Sequence, residues 1–341
     1  MGDLQMVKDR VRICFIGCGH HSMESLQPAV TLIPQIEYVA ACDLIEERAK
    51  EAVRRFGAKK WYTDYNEMIS EVSPDGVIIV GPPQMHEELG TSCLKMGLNV
   101  FMEKPPSLTL KGARRIYEAM KESGKICMVG THWRHMPIHR ALKKISERED
   151  FGEVFRLEAT YLAPDTRGAW GQPFAWGFML NQAIHLMDCL QFLGGRVVEV
   201  EARGIVVDGK KLAISASLEF ASGSIGSFVL GGCSPIFYER IGIQGTEGWV
   251  EAEQFKKLKY ASRKGWMEST DPTAIQTLAF EHGSHYRGVS RPGYVEELEH
   301  FAQSIISGSH PHADAEDAYY ALKTLDAIVK SINTGKKIRV D

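Results

Sequence analysis

Three groups of residues in this chain have types and spacings suited to chemistry. The first is Gly17-Cys18-Gly19-His20-His21-Ser22, which follows a short apolar run, 11–17, and opens a helix-like stretch. In that context the first glycine makes a tight turn, and the second lets backbone approach a pyrophosphate at a helix N-terminus, with His20 and His21 beside it. Ser22 stands where the third glycine of G-x-G-x-x-G would serve helix–strand packing, a place that tolerates small residues. Asp43 closes the next apolar run, 38–42, within a few residues of the spacing of about 20 expected for the acidic partner of such glycines. A carboxylate there accepts hydrogen bonds from ribose hydroxyls and repels a 2′-phosphate. Leu44, not an arginine, follows it, so NAD is favoured over NADP. The alternative for Asp43 is a cap on the following helix.

The second group is Glu103-Lys104-Pro105-Pro106, directly after the apolar run 99–102. At the C-terminal edge of a parallel sheet, where ligands bind, the Lys104 ammonium could stabilise alkoxide charge or help move a proton. Standing alone, the same string also fits a surface loop. The third group is the stretch 180–188, which reads as a helix because Leu180, Ile184 and Met187 share an apolar face. Asn181 and His185 lie one turn apart on it and point the same way. Here His185 is read as general base and Lys104 as its electrostatic partner, with Asn181 orienting a substrate hydroxyl because an amide cannot take a proton. Asp188 could orient or tune His185. The alternative is that His185 is a hydrogen-bonded core histidine.

The elements that must position these residues follow from hydrophobic rhythm. Over the first 130 residues, short apolar runs alternate with amphipathic stretches, the pattern of a doubly wound parallel sheet. The run 76–80 is continuous and β-branched, as in a strand covered on both faces. Pro28 inside the first helical stretch, which extends to residue 33, predicts a kink or an early end. Beyond Gly152 the rhythm changes to period-two runs at 153–162, 197–207, 211–220, 224–230 and 239–243. These predict antiparallel strands, with Asp208-Gly209 and Ala221-Ser222-Gly223 as turns. Two amphipathic helices, 294–307 and 315–333, follow. A final strand, 337–340, has no obvious partner. The expected fold is α/β: a dinucleotide-binding domain at 8–131 and, at 132–341, an α+β domain with a large, open, mostly antiparallel sheet, its last helix free to pack back on the first domain. An open sheet keeps one face that must be covered by helices or another subunit, so a homodimer or homotetramer through that sheet is expected.

From Glu103-Lys104-Pro105 onward the chain resembles the Gfo/Idh/MocA oxidoreductases, the glucose-fructose oxidoreductase and inositol dehydrogenase family. The likeness runs over nearly the whole chain. It takes in Gly17 and Gly19, Thr63-Asp64-Tyr65, Pro82 with His86, residues 134–137 and residues 181–188. The resemblance implies a Rossmann domain, an NAD cofactor and redox chemistry at a secondary alcohol carbon of a sugar, an inositol or a related molecule. It implies contact of Lys104 with nicotinamide and substrate, a cis peptide at Pro105, and cofactor contacts from Glu103, Pro82 and His86. Trp133 and Arg134 stand where the family's chain crosses beside the cofactor, which places them against nicotinamide or substrate. Many members carry aspartate where this chain has Asn181, so here the proton must pass to His185 or Lys104. Two rivals share this outline: an enzyme that uses NAD transiently with no net redox change, and a nucleotide sensor without catalysis.

Other features were weighed against these. His132, His135 and His139 near Cys127 lack a completing carboxylate and a common helix face, so no metal is expected and they are assigned to the mouth of the active site. Arg167, Trp170, Gln172 and Trp176 occupy a proline- and glycine-rich loop whose aromatic faces suit a sugar ring or domain packing. His285, Tyr286, Arg287 and Arg291 fit an acidic group or a solvated loop. With 341 residues, 44% hydrophobic and 24% charged, the chain exceeds one core. Its net charge of -3 offers nothing to nucleic acid or an anionic membrane. Without an apolar run of about 20 residues or a signal-like start, and with seven cysteines forming no C-x-x-C pair, a reducing cytoplasmic location is expected.

Overall fold

In the computed structural model, which describes residues 9–164, 169–262, 276–279 and 293–340, the alternating N-terminal pattern becomes a parallel sheet. Its elements are β1 (Val11–Ile16), a π-helical turn (Ser22–Leu26), α1 (Gln27–Val30), β2 (Ile36–Cys42), α2 (Glu46–Phe56), β3 (Lys60–Tyr62), α3 (Tyr65–Val72) and β4 (Gly76–Ile79). They continue with α4 (Pro83–Lys95), β5 (Asn99–Glu103), α5 (Leu110–Ser123) and β6 (Cys127–Gly130). The strand order is β3-β2-β1-β4-β5-β6, which is the doubly wound order. Both faces are covered, which is why the strands read as unbroken apolar runs. Ile13, Phe15, Ile78 and Phe101 face one core with Leu26 and Val30. Cys14, Ile16, Val77, Ile79 and Met102 face the other, with Met68, Leu94 and Ile116. Asp64 and Thr109 cap α3 and α5 through side-chain oxygens, and left-handed Gly57 and Gly124 end α2 and α5.

Pro28 has the expected effect in a specific form. It has no N–H for the carbonyl four residues back, and the chain takes a π turn just ahead of it; α1 then ends at Val30, short of residue 33.

The second sheet begins after α6 (Pro137–Ser146) with β7 (Val154–Ala163). Next come α7 (Phe174–Phe178), a π turn (Met179–Ala183) and α8 (Ile184–Gly194). The strands β8 (Val197–Val207), β9 (Lys211–Phe220), β10 (Ile225–Gly232), β11 (Tyr238–Gly245), β12 (Gly248–Glu253), β13 (Lys257–Ser262) and β14 (Gln276–Ala279) follow. The chain closes with α9 (Tyr294–Ser307), α10 (Ala315–Thr334) and β15 (Ile338–Arg339). Nine strands run in the order β14-β13-β12-β11-β7-β10-β9-β8-β15, antiparallel except for β7 with β10. The turn at Asp208-Gly209 has φ of 52° and 65°, as a two-residue hairpin requires. Three strands, β12 to β14, lie beyond the five expected. The last strand does find a partner: Ile338 pairs with Val200 at the edge of β8.

The described residues form two compact units, one within Met1–His132 and Gly283–Tyr319, the other within Trp133–His282 and Tyr320–Asp341. The first unit ends at His132 and also takes in 283–319, a stretch that chain order alone would give to the second domain. Tyr294, Leu298 and Phe301 of α9 complete the first core beside β1 and α1, a return of the chain that local periodicity does not reveal. In the second unit one sheet face buries Tyr161, Ile214, Leu218, Phe228, Ile241 and Val250, while the other leaves Ile205, Ile225 and Val229 exposed. No helix among the described residues is long and apolar enough to cross a membrane.

Buried Ser331 ties the end of α10 to the sheet, since its Oγ accepts from Ala202 N at 2.9 Å and donates to Lys336 O at 2.6 Å. Ser331→Ala strands both backbone groups and is expected to lower unfolding free energy by about 1–3 kcal/mol. Urea denaturation checks this; an unchanged midpoint would contradict it.

Candidate functional site

At the carboxyl end of β1, Gly17 has φ of +99°, and a Cβ there would overlap the Val80 carbonyl at the end of β4. Only glycine fits both the dihedral and the contact. At Gly19 nothing stands within 4 Å of the place a Cβ would occupy, so backbone is open to a phosphate there. Asp43 joins the two readings weighed for it. Its Oδ2 accepts from Cys18 N at 2.7 Å, fixing the turn, and its Oδ1 accepts from Ile45 N at 2.9 Å at the start of the next helix. Each oxygen keeps a second lone pair for a ribose hydroxyl. Ser22 is buried and receives Gln27 Nε2 at 3.0 Å, while Tyr38 donates to Gln27 at 2.9 Å. Burial pushes the Cys18 thiol up to about 12, so it behaves as a small neutral hydrophobe. His20 and His21 are exposed.

Leu44 is a residue whose role the sequence left open. It is 92% exposed and followed by half-exposed Ile45, an apolar pair beside the ribose-facing carboxylate that can cover the face of a purine. The signal was available in the sequence: two apolar residues in a strand-to-helix turn, where burial does not explain them.

The ends of β4 and β5 are held by side chains. His86 is fully buried. Its Nε2 accepts from Gly81 N at 3.0 Å, so its Nδ1 carries the proton and donates to Pro105 O at 2.9 Å. Both ring nitrogens are used, and His86 braces the loop that carries Lys104. Burial lowers its pKa to about 4, against the opposing pull of the Pro105 carbonyl. Pro82, one residue ahead of α4, is exposed. Glu103 is buried too, with Oε2 accepting from Lys104 N at 3.0 Å and Oε1 3.2 Å from His21 Nε2. Burial would raise its pKa, but the neighbouring His21 and Lys104 charges lower it on balance, so it stays ionised. The Lys104–Pro105 peptide is cis, as the resemblance implied.

In the second unit the helical stretch carrying Asn181 and His185 is interrupted by the π turn at Met179–Ala183. Asn181 lies on that turn, half-buried, and His185 lies in the first turn of α8 with 5% exposure. The Nδ1 edge of His185 is buried. Gln182 of the same turn accepts from Tyr161 OH at 2.6 Å.

Trp133 and His185 stack, ring centroids 5.5 Å apart and planes within 14°. With no exposed surface, Trp133 backs His185. Arg134 and Asp188 form a buried two-pronged pair, Nε to Oδ2 at 2.7 Å and Nη2 to Oδ1 at 2.5 Å, so each answers the other's charge.

Trp176 is half-buried in α7, and Arg167 lies outside the described residues, as do His285, Tyr286, Arg287 and Arg291. The histidines assigned to an active-site mouth scatter. His132 stacks on Tyr294 at 4.7 Å, while buried His139 has Nδ1 2.8 Å from Trp133 O and Nε2 3.3 Å from Glu239. Burial works against charge on His139, but its hydrogen bonds to Cys189 and Glu239 hold its pKa well above the ordinary value.

Residues 11–131 match the family described as oxidoreductase family, NAD-binding Rossmann fold, and residues 143–340 match its C-terminal alpha/beta domain. The chain belongs to the Gfo/Idh/MocA family. It is 26% identical to the scyllo-inositol 2-dehydrogenase (NAD(+)) of Bacillus subtilis, with 98% of each chain covered. It is 27% identical to the Myo-inositol 2-dehydrogenase of Thermotoga maritima, covering 97% of this chain and 99% of that one. A dehydrogenase structure from Chromobacterium violaceum superposes with a TM-score of 0.87 at 26% identity, covering 96% of both. As a family member the chain is an oxidoreductase with an NAD-binding domain, and the glycine turn and Asp43 fit that cofactor.

His86 predicts a pH signature. Its folded pKa is depressed from 6.5 to about 4, so its contribution is full above pH 6.5 and is lost as pH falls toward 4. The loss is about 3 kcal/mol. Wild type should lose that stability in urea titrations across this window, and His86→Gln should lose much less; equal slopes would contradict the buried neutral ring.

Proposed function

We propose that this protein oxidises a ring hydroxyl of an inositol or a closely related cyclic polyol, using NAD in preference to NADP. The observation that carries the reading is His185: an almost buried imidazole on a helical turn with Asn181, in a chain whose other unit bears the glycine turn and Asp43. Both inositol dehydrogenases named above support the substrate class. Asp43 supports NAD, since its carboxylate would repel a 2′-phosphate.

In this reading the side-chain amide of Asn181 orients the reacting hydroxyl. His185 takes the hydroxyl proton at Nε2 while Lys104 stabilises charge on the carbinol oxygen. Held at the glycine turn and Asp43, NAD would supply the hydride acceptor for the carbinol carbon, and His185, on taking the hydroxyl proton, becomes imidazolium. An amide at 181 holds no charge, so proton acceptance falls to His185 or Lys104, and the reading assigns it to His185.

The assay is absorbance of the reduced nicotinamide with NAD or NADP and a panel of inositols, aldoses and sugar acids. Turnover with NAD and an inositol is expected, with Lys104→Ala and His185→Ala each about 100-fold slower or worse. Turnover that survives both substitutions would remove the proposed roles.

A second copy of the chain is the proposed cover for the outer face of the nine-stranded sheet. Ile225 and Val229 lie exposed beside the small residues Ser215, Ser217 and Ser227, exposed apolar surface suited to self-association. Sedimentation should give a dimer or tetramer, and Val229→Arg should shift it toward monomer. A monomeric wild type would contradict this.

A further inference from the structure

The second unit contains a buried carboxylate that the proposed chemistry does not use. Glu239 on β11 sits across from Tyr161 on β7, without exposed surface. Its Oε1 is 3.3 Å from His139 Nε2, and its Oε2 accepts from Phe255 N at 3.2 Å. Its carbonyl takes Gln254 N at 2.8 Å. A backbone carbonyl only accepts, so His139 Nδ1 is protonated and donates to Trp133 O at 2.8 Å. One carboxylate thereby fixes both the segment that carries Trp133 and the turn that carries Phe255.

That turn is the second observation. Gln254 and Phe255 both have positive φ, +55° and +57°, a conformation that hairpins normally give to glycine or asparagine. A buried phenylalanine persists there only where its surroundings over-determine it. Glu239 supplies two of those restraints, one from its side chain and one from its backbone. The result is a Phe255 ring set edge-on to Trp133, centroids 5.0 Å apart and planes at 70°. Tyr161 meets the same indole at 5.1 Å and 87°. The indole plane is thus fixed by two ring contacts and a backbone hydrogen bond, and His185 lies flat on it.

We propose that Glu239 is a positioning residue for His185, acting through His139 and Phe255 to set the Trp133 plane against which the imidazole lies. Only the consequence for turnover rests on His185 being the proton acceptor; the positioning itself does not. Glu239→Ala removes the partner of His139 and of Phe255 N. Glu239→Gln keeps an acceptor for Phe255 N and can donate to a neutral His139, preserving the bond to Trp133.

The test is NMR of ligand-free protein with isotope-labelled histidine, the His185 signals being assigned by His185→Gln. Stacking on an indole places the His185 ring protons upfield. In Glu239→Ala they should move toward the position of free histidine, and in Glu239→Gln they should return. In parallel, kcat should fall about 10- to 100-fold in the alanine variant with the KM for NAD unchanged, and recover most of that in the glutamine variant. If the alanine variant does not fold, Phe255→Leu, which removes the ring but keeps the backbone, is read in its place. His185 signals unmoved in the folded variant would overturn the proposal. Signals that move while kcat stays constant would uphold the positioning and instead remove His185 as the proton acceptor.

Discussion

At the carboxyl ends of the parallel strands, three turns each give up a backbone N–H to a side chain: Cys18 N to Asp43, Gly81 N to His86, and Lys104 N to Glu103. The close approach of the Gly17 turn to the Val80 carbonyl leaves no room for a side chain between the first two. Such polar groups are costly to bury unpaired, so the side chains that answer them are set by the geometry of the turns. The same three residues arrange what a dinucleotide meets. Asp43 is braced by its turn and still has lone pairs to offer, His86 braces the loop carrying Lys104, and Glu103 links that loop to His21.

The second unit solves a different problem, the placement of an imidazole. A histidine held only by its own helix would sample several rotamers. Here the π turn ahead of α8 and the flat contact with Trp133 narrow that choice, and π turns recur where a helix must re-aim a side chain for function. Trp133 is in turn set by groups from distant strands. Arg134, next to Trp133, and Asp188, three residues after His185, lock the same two segments together by a buried charged pair.

Much of this was legible in sequence where the signal is local. The strands of the first sheet showed as apolar runs, the hairpin at Asp208-Gly209 as a turn, and the glycine turn with Asp43 as a nucleotide motif. What failed was long-range. His139 and Glu239 are 100 residues apart and meet only through strand placement, so no spacing could pair them. The strands β12 and β13 were missed because charged residues fill much of their alternation, and β14 is only four residues long. Residues 283–319 were assigned by chain order, although α9 returns to the first core. Trp133, Arg134, Asp188 and His86 read in sequence as site residues, and their burial was not legible because it cannot be read from residue type.

The central claim is that hydrogen leaves a carbinol carbon of a cyclic polyol for the cofactor while the chain's own residues manage the proton. The most direct measurement uses an inositol deuterated at its ring carbons, with mass spectrometry of cofactor and product after turnover. The account predicts one deuterium in the reduced nicotinamide, matched one for one by a ketone lacking it. Product of unchanged oxidation state, with deuterium retained or exchanged to solvent and no accumulation of reduced cofactor, would contradict it.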